Sequence, residues 1–268
     1  MENRKISFTG KGSEYFGIWF VNSILTVLTL GIYGAWARVR KINYFASKTV
    51  LEGDSFTYHG TGLQVFIGYL KLIFVLAVLY GLYIFGLVTR SQNLMLIGLL
   101  ILVVGLILII PLAIHGAMRF RLSHTSWRGI HMGYRGSKSK LFWLYLKGSL
   151  LTILTLGLYS SWFTVKLNTY IYGNVRLGNV KLGYRANGLD LFIIHLKGAL
   201  FSLLTMGIYS FWYSKNLFNY TYSSMNGEQD GRRLLFNAEI TAGQYFKMFL
   251  FEIFALITFG LAMPWATV

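Results

Sequence analysis

Two long apolar stretches constrain this chain more than any other feature of its sequence. Residues 63–88 contain a single charged side chain, that of Lys71, and residues 94–118 contain none. Each stretch exceeds the ~20 residues that an α-helix needs to cross a lipid bilayer. The polar segment 89–93 lies between them and predicts a turn. We therefore expect the two stretches to form a transmembrane helical hairpin.

The composition points to the same class of protein. Apolar residues make up 55% of the chain and charged residues 13%, whereas soluble domains carry about 25% charged residues. The mean hydropathy of +0.54 argues against a nucleic-acid-binding protein, although the net charge is +16. The absence of cysteine excludes disulfides, thiolate ligands and cysteine nucleophiles. No apolar region follows the polar amino terminus closely, so we expect no cleavable signal peptide.

A short motif recurs along the chain. Residues 29–33 read Thr-Leu-Gly-Ile-Tyr, and closely similar motifs stand at 155–159 and 205–209, with weaker copies at 80–83 and 258–261. In four of the five copies a tryptophan follows the glycine by five residues. The glycine is expected at the left-handed C′ position that ends a helix. The tyrosine and tryptophan are expected either at a membrane interface or in packing between two helices.

We therefore predict an all-α polytopic membrane protein built from repeats of roughly 50 residues. Each repeat contains a strand, an apolar helix A, the Leu-Gly-Ile-Tyr turn and a shorter helix B. Small cytoplasmic β-hairpins are predicted within 50–58 and 175–184. The predicted repeats of this single membrane domain (1–268) are 8–57, 58–133, 134–183, 184–235 and 236–268. The second carries an inserted transmembrane helix, and the fifth is partial.

Basic residues concentrate between the repeats, and the turns after helix A carry none. The positive-inside rule therefore predicts that the repeat junctions and the amino terminus, with Arg4 and Lys5, face the cytoplasm. Helix A is expected to run outward and helix B to return. Because helix B is short and carries basic groups near its middle, we leave open whether it spans the bilayer or is re-entrant or interfacial.

Seven basic side chains within these helices are the candidate binding residues. Lys71, Lys147 and Lys197 each lie ten residues before the turn glycine of helix A. Helix B adds Arg38, Arg40, Lys166 and Lys215. A lysine in the hydrocarbon region costs about 2.5–3.5 kcal/mol on insertion scales. Either each lysine extends separately to the cytoplasmic headgroups, or the lysines line a shared cavity that binds inorganic anions, lipid headgroups or an acidic protein.

These residues predict a channel- or transporter-like protein whose basic internal surface meets anionic solutes or lipid headgroups. The alternative is a non-catalytic scaffold whose cytoplasmic β-hairpins bind a partner. We expect no enzyme, since no acid–base pair or metal-ligand pattern stands out, although Glu252 and His195 keep a membrane enzyme open. No metal, cofactor or nucleic acid is expected. Membrane lipids are the expected partners, and Gly148 and Gly198 would also permit close contacts between copies of the chain.

Four segments carry a resemblance to a known family. They read FTGKGSEYF at 8–16, NSILTVLTLGIY at 22–33, WARVRK at 36–41 and FTYHGTG at 56–62. With these segments the chain resembles the YjgN family of bacterial inner-membrane proteins over its full length. The resemblance implies a multi-pass protein of the bacterial inner membrane, and it supplies no catalytic residues.

Overall fold

The computed structural model describes residues 6–237, 240–258 and 260–268. Arg4 and Lys5, which the orientation prediction used, and Phe259 of the weak fifth motif lie outside these residues. Helices predominate in the described part of the chain, and short antiparallel strands connect them. Internal contacts divide the chain into two units, Met1–Gly129 and Ile130–Val268.

In the first unit, two pairs of helices alternate with short strands. The elements are β1 (Ile6–Phe8), α1 (Gly12–Leu28), α2 (Gly34–Lys48), β2 (Thr49–Leu51), β3 (Asp54–Tyr58), α3 (Gly62–Val88), α4 (Gln92–Ser123) and β4 (Thr125–Trp127). The strands pair antiparallel in chain order, with Val50 opposite Ser55 and Thr57 opposite Ser126.

The second unit follows the same alternation of helix pairs and strand pairs. The elements are β5 (Ile130–Tyr134), α5 (Lys138–Leu154), α6 (Ser160–Gly173), β6 (Val175–Leu177), β7 (Val180–Tyr184), α7 (Gly188–Leu204), α8 (Ser210–Ser223), β8 (Met225–Gln229), β9 (Arg232–Leu235), α9 (Ala242–Ile257) and α10 (Met263–Thr267). Strands β5 to β9 also pair antiparallel in chain order. Both predicted β-hairpins, β2–β3 and β6–β7, are confirmed.

The helices α3 and α4 confirm the two long apolar elements. They contain 27 and 32 residues and are the two described helices that are long and apolar enough to cross a membrane. Only 6% and 17% of their most apolar segments are buried inside the protein. A helix in the core of a soluble protein would be mostly buried. These two helices therefore present an apolar surface that the described part of the chain does not cover.

Aromatic side chains of α6 pack against glycines of the helices before and after it. A Cβ atom on Gly148 of α5 would lie 2.1 Å from the Phe163 ring of α6, and one on Gly188 of α7 would lie 2.3 Å from the Trp162 ring. The Trp162 ring also stacks on Phe192 of α7, with the ring centroids 5.3 Å apart. Of the two roles predicted for the tryptophan, the described contacts show packing between helices.

A buried tyrosine ends each of the strands β3, β5 and β7. The ring of Tyr134 covers the backbone two residues further on, so that a Cβ atom on Gly136 would lie 2.4 Å from its phenol oxygen. Burial raises the pKa of Tyr134 to about 12, further above physiological pH than its ordinary value. Tyr58 and Tyr184 are buried in the same way.

The short helical hairpins α1–α2, α5–α6 and α7–α8 turn with one backbone geometry. In the first, Leu30 adopts a φ of +50° and Gly31 a φ of +92°. The N–H of Gly31 donates to the carbonyl of Thr26 (2.7 Å), and that of Leu30 donates to the carbonyl of Val27 (3.1 Å). These are the two bonds of a Schellman motif. The same φ pattern recurs at Leu156 and Gly157 and at Met206 and Gly207.

The position of the glycine in this motif corrects the sequence-based expectation. The glycine was expected at C′, but Leu30 occupies C′ and Gly31 follows it. A left-handed conformation costs a non-glycine residue roughly 1–2 kcal/mol, and leucine accepts it here at +50°. The wider φ of the next residue is the one that favours glycine.

The threonine of each motif pairs a backbone N–H that the helices leave free. The hydroxyl of Thr155 donates to the carbonyl of Leu151 (2.7 Å) and accepts from the N–H of Tyr159 (3.0 Å). Because the first N–H groups of a helix have no helical acceptor, the side chain supplies it. All six N–H groups from Thr155 to Ser160 thus donate hydrogen bonds. Equivalent threonine bonds form at Thr29, Thr205 and Thr258.

A second side chain fixes the beginning of the helices α1, α5 and α7. The hydroxyl of Tyr170, near the end of α6, accepts from the N–H of Ser137 (2.7 Å) and donates to its carbonyl (2.8 Å). Ser137 is the N-cap of α5. The same two bonds join Tyr44 to Lys11 and Tyr220 to Asn187, and the separation is 33 residues each time. We call this arrangement the tyrosine clasp.

In the helices α3 and α9 a different side chain accepts the hydrogen bond from the N–H of the N-cap residue. Each is capped by a threonine that forms a reciprocal capping box with a glutamine three residues later. The glutamine accepts the N–H of Thr61 at 3.0 Å and that of Thr241 at 2.8 Å. A glutamine side chain therefore pairs the N–H that a tyrosine hydroxyl pairs elsewhere.

We expect Thr155→Val to lower the free energy of unfolding by about 1–3 kcal/mol, because the N–H of Tyr159 loses its acceptor. Valine keeps the shape of the side chain and removes the hydroxyl. Thermal unfolding of the purified protein in detergent measures the effect. The control is Thr164→Val, whose exposed hydroxyl has no hydrogen-bond partner among the described residues. Equal stability of the two variants would contradict the role of Thr155.

We expect Tyr170→Phe to destabilise the protein by about 1–2 kcal/mol through the loss of the clasp. Adding Ser137→Thr and Lys140→Gln should recover most of this loss, because these residues recreate the capping box of α3 and α9. The same two substitutions in the unchanged background are the control. Chemical unfolding monitored by tryptophan fluorescence gives the four values. If the variant with all three substitutions is no more stable than Tyr170→Phe alone, then the capping box cannot replace the tyrosine clasp.

Candidate functional site

Neutral oxygens hold the two arginines of α2. The Nη1 of Arg38 donates to the hydroxyl of Tyr69 on α3 at 3.3 Å. The Nη1 of Arg40 donates to the side-chain oxygen of Asn22 on α1 at 3.5 Å, and its guanidinium carbon lies 5.6 Å from the centroid of the Tyr33 ring. Asn22 is buried. Both arginines thus join α2 to a neighbouring helix while their positive charges stay uncompensated.

Lys166 of α6 repeats the arrangement seen at Arg40. Its ammonium donates to the hydroxyl of Tyr159 at 2.7 Å and lies 5.4 Å from the centroid of that ring. The turn tyrosine precedes the cation by seven residues in both cases, or two helical turns. The side chain of the turn tyrosine therefore lies along helix B, and its ring contacts the cation two turns further on. In the hairpin α7–α8 the residue seven positions after the turn tyrosine is Asn216, and Lys215 precedes it directly.

A cleft of about 690 Å³ opens in the first unit between the short hairpin and β3. Arg40 is the one candidate cation among its lining residues, and Lys71 and Arg38 do not line it. The lining residues are Gly17, Ile18, Val21, Arg40, Asn43, Tyr44, Ser47 and residues 55–58. The wall is thus apolar and hydroxylic around a single positive charge.

A cleft of about 330 Å³ in the second unit lies between α7 and α8. Lys197 is the one candidate cation in its wall, together with Ile193, Ile194, Tyr209, Tyr213, Asn216 and Asn219. Nearby, Nδ1 of His195 and the hydroxyl of Tyr213 lie 2.7 Å apart. One ammonium beside two amides and two phenols can bind a single anionic oxygen group.

The three helix A lysines have exposed side chains. Lys71 lies in the first unit, and Lys147 and Lys197 lie in the second. Lys147, Lys166 and Lys215 are not among the residues that line the described cleft of the second unit. A cavity shared by all three helix A lysines stays a prediction.

Ion pairs form elsewhere in the first unit. Lys48 pairs with Glu14 at 2.8 Å, and Arg128 pairs with both Asp54 and Glu52. Within residues 6–237, 240–258 and 260–268, none of the seven candidate cations forms an ion pair with a carboxylate. In that same part of the chain, no group of three or more histidine, aspartate or glutamate side chains could hold a metal ion.

The sequence reasoning did not find the turn threonines, the clasp tyrosines or the tyrosine–cation pairs. Two constant separations could have revealed the last two. The N-cap residue precedes the clasp tyrosine by 33 residues, and the turn tyrosine precedes the cation by seven residues. These side chains position the cations, since they fix both ends of the helices that carry them.

Known proteins resemble this chain over much of its length. An inner membrane protein YjgN of Salmonella typhimurium is 32% identical over 173 residues, which cover 65% of this chain and 41% of that protein. Inner membrane proteins YjgN of Escherichia coli O157:H7 and K12 are 33% and 32% identical over 137 residues, which cover 51% of this chain and 32% of each relative. The chain thus spans less than half the length of these curated relatives.

No solved structure matches the chain. A family of bacterial proteins of unknown function, DUF898, matches it over residues 3–151 and 132–193. These matches cover well over half of the sequence and include α1 to α6 and both confirmed β-hairpins. The chain belongs to the DUF898 family.

Proposed function

We propose that this protein is an integral inner-membrane protein that binds anionic phospholipid headgroups. The binding residues are the seven candidate cations, which we call the basic band. They are Arg38, Arg40, Lys71, Lys147, Lys166, Lys197 and Lys215. The finer features of the fold, roughly 50-residue repeats and several passes through the membrane, belong to the same proposal.

The observation that carries the proposal is that the basic band is not neutralised by the protein. Arg38, Arg40 and Lys166 are held by phenol and amide oxygens, which orient a cation without cancelling its charge. The chain carries 25 basic and nine acidic residues. Phosphate diesters can supply the missing negative charge, and basic pockets between helices are known headgroup sites.

Two further observations support a membrane location. The helices α3 and α4 leave an apolar surface of sufficient length uncovered. The relatives named above are inner membrane proteins by name. The basic residues at the repeat junctions favour a cytoplasmic position for the strands and for the amino terminus.

The recurrent bonds support the proposed repeats. The tyrosine clasp, the threonine bond and the left-handed turn each occur at positions that differ by 126 and then by 50 residues. Such recurrence is typical of units that solve the same local packing problem in tandem.

Anion conduction through a channel or transporter is the second candidate, and it stays a prediction. A conducting pathway needs several cations along one cavity, whereas each described cleft contains one. A scaffold whose β-hairpins bind a partner is the third. Under that alternative the basic band would only anchor the helices.

We expect the variant Lys147→Gln/Lys166→Gln/Lys197→Gln to retain at least about tenfold less phosphatidylglycerol than the unchanged protein. The reason is that each juxtamembrane lysine attracts acidic headgroups by about 1 kcal/mol. Mass spectrometry of lipid that copurifies in mild detergent measures the retention, and thermal unfolding verifies the fold. The matched control, Lys181→Gln/Arg232→Gln/Arg233→Gln, removes three charges from β7 and β9 instead.

Equal loss of phosphatidylglycerol in both triple variants would contradict the proposal, because net charge alone would then explain the binding. Chloride efflux from phosphatidylcholine vesicles separates the channel candidate. Efflux that the first triple variant abolishes, with lipid retention unchanged, would favour conduction over headgroup binding.

A further inference from the structure

We infer that the short helical hairpins enter the bilayer from the side of the strands and end inside its hydrocarbon core without crossing it. The surface that contacts the acyl chains is the hairpin tip, residues 154–158 in α5–α6 and 204–208 in α7–α8. This inference rests on the membrane location proposed above and adds the mode of insertion.

The short hairpins are too short to span the membrane with their headgroup layers. The helices α1, α5 and α7 contain 17 residues each, which corresponds to about 25 Å. A bilayer measures about 30 Å across its hydrocarbon core and 40–45 Å with its headgroups. The 27 residues of α3 reach about 40 Å. Only the long hairpin α3–α4 thus matches the full thickness.

The cations mark the depth of the hairpins α5–α6 and α7–α8. Lys147 precedes Leu156 at the tip by nine residues, and Lys166 follows it by ten. Lys197 and Lys215 flank Met206 by nine residues on either side. Nine residues of helix correspond to about 14 Å, or half of the hydrocarbon core. If the cations stay at the headgroups of one leaflet, each tip lies near the middle of the bilayer.

The chemistry of the tips fits that depth. The side chains of Leu156 and Met206 are 95% and 98% exposed, and no charged residue lies between Lys147 and Lys166. Every N–H from Thr155 to Ser160 is paired within the protein, which a lipid environment requires because it offers no hydrogen-bond partners. The hydroxyl of Tyr159 is likewise paired, with Lys166.

The long hairpin provides an internal comparison. Its turn has the same Schellman bonds, and Arg90 takes the left-handed position that Leu30, Leu156 and Met206 take in the short hairpins. Arg90 follows Lys71 by 19 residues, or about 28 Å, which matches the full hydrocarbon core. A charged residue thus stands where the turn would reach the opposite headgroups, and apolar residues stand where it would not.

Electron paramagnetic resonance of single nitroxide labels tests the inference directly. The chain contains no cysteine, so Leu156→Cys, Met206→Cys, Ser91→Cys and Asn179→Cys each create one labelling site. The labelled full chains are reconstituted in vesicles of phosphatidylcholine and phosphatidylglycerol. For each label we compare two collision rates of the nitroxide. One is with oxygen, which partitions into hydrocarbon, and the other is with a water-soluble nickel chelate. Ser91 is the matched control in the long hairpin, and Asn179 reports the β6–β7 turn.

We expect the labels at 156 and 206 to collide with oxygen more often than the other two and to collide with the nickel chelate least often. The label at 91 should lie at the depth of the headgroups, and the label at 179 should lie in water. Headgroup depth at 156 and 206 as well would overturn the inference, since the tips would then lie at a membrane surface and not in the hydrocarbon core. Nickel collision at 156 and 206 alone would overturn it in favour of an aqueous cavity. Low collision with both reagents and dipolar broadening would overturn it in favour of contact between copies. Water exposure at all four sites, including 91, would instead overturn the proposed membrane location.

Discussion

The pairing of backbone N–H groups at the helical turns is the constraint on which the rest of this structure depends. A turn between two helices exposes donors that water normally satisfies, and an apolar environment cannot satisfy them. One threonine hydroxyl, that of Thr155 in the α5–α6 turn, accepts the donor that the Schellman bonds leave over. With this donor paired, the other side chains of this turn can be apolar, as Leu156 and Leu158 are.

The opposite ends of the same helices are fixed near the strands. The clasp of Tyr170 on Ser137 ties the end of helix B to the beginning of helix A. Where the clasp is missing, as at Thr61, a capping box pairs the same N–H. Each short hairpin is therefore closed by hydrogen bonds at both ends, and between them aromatic rings pack on glycines such as Gly148.

The charges are distributed in a way that follows from this construction. Carboxylates pair with Lys48 and Arg128, close to the strands. The cations within the helices, such as Arg40 and Lys166, meet tyrosine and asparagine instead. Neutral partners hold the geometry and leave the positive charge available to an external anion. The proposed headgroup binding and the proposed depth of the hairpins both depend on this separation of paired and unpaired charge.

The sequence by itself determined the long apolar helices, the turns at 29–33, 89–93, 155–159 and 205–209, and the β-hairpins at 50–58 and 175–184. These features depend on local chemistry, namely uninterrupted apolar runs and glycine beside short polar side chains. The turn expected at the weak motif 80–83 was wrong, because this segment lies inside the continuous helix α3. The bonds between distant residues, such as Tyr170 with Ser137 and Arg40 with Asn22, were decided only by the tertiary structure. A hydroxyl or guanidinium has many conceivable partners in a sequence, and packing alone selects one. The same holds for Leu30 at C′, because the Schellman bonds and not residue preference choose which residue becomes left-handed.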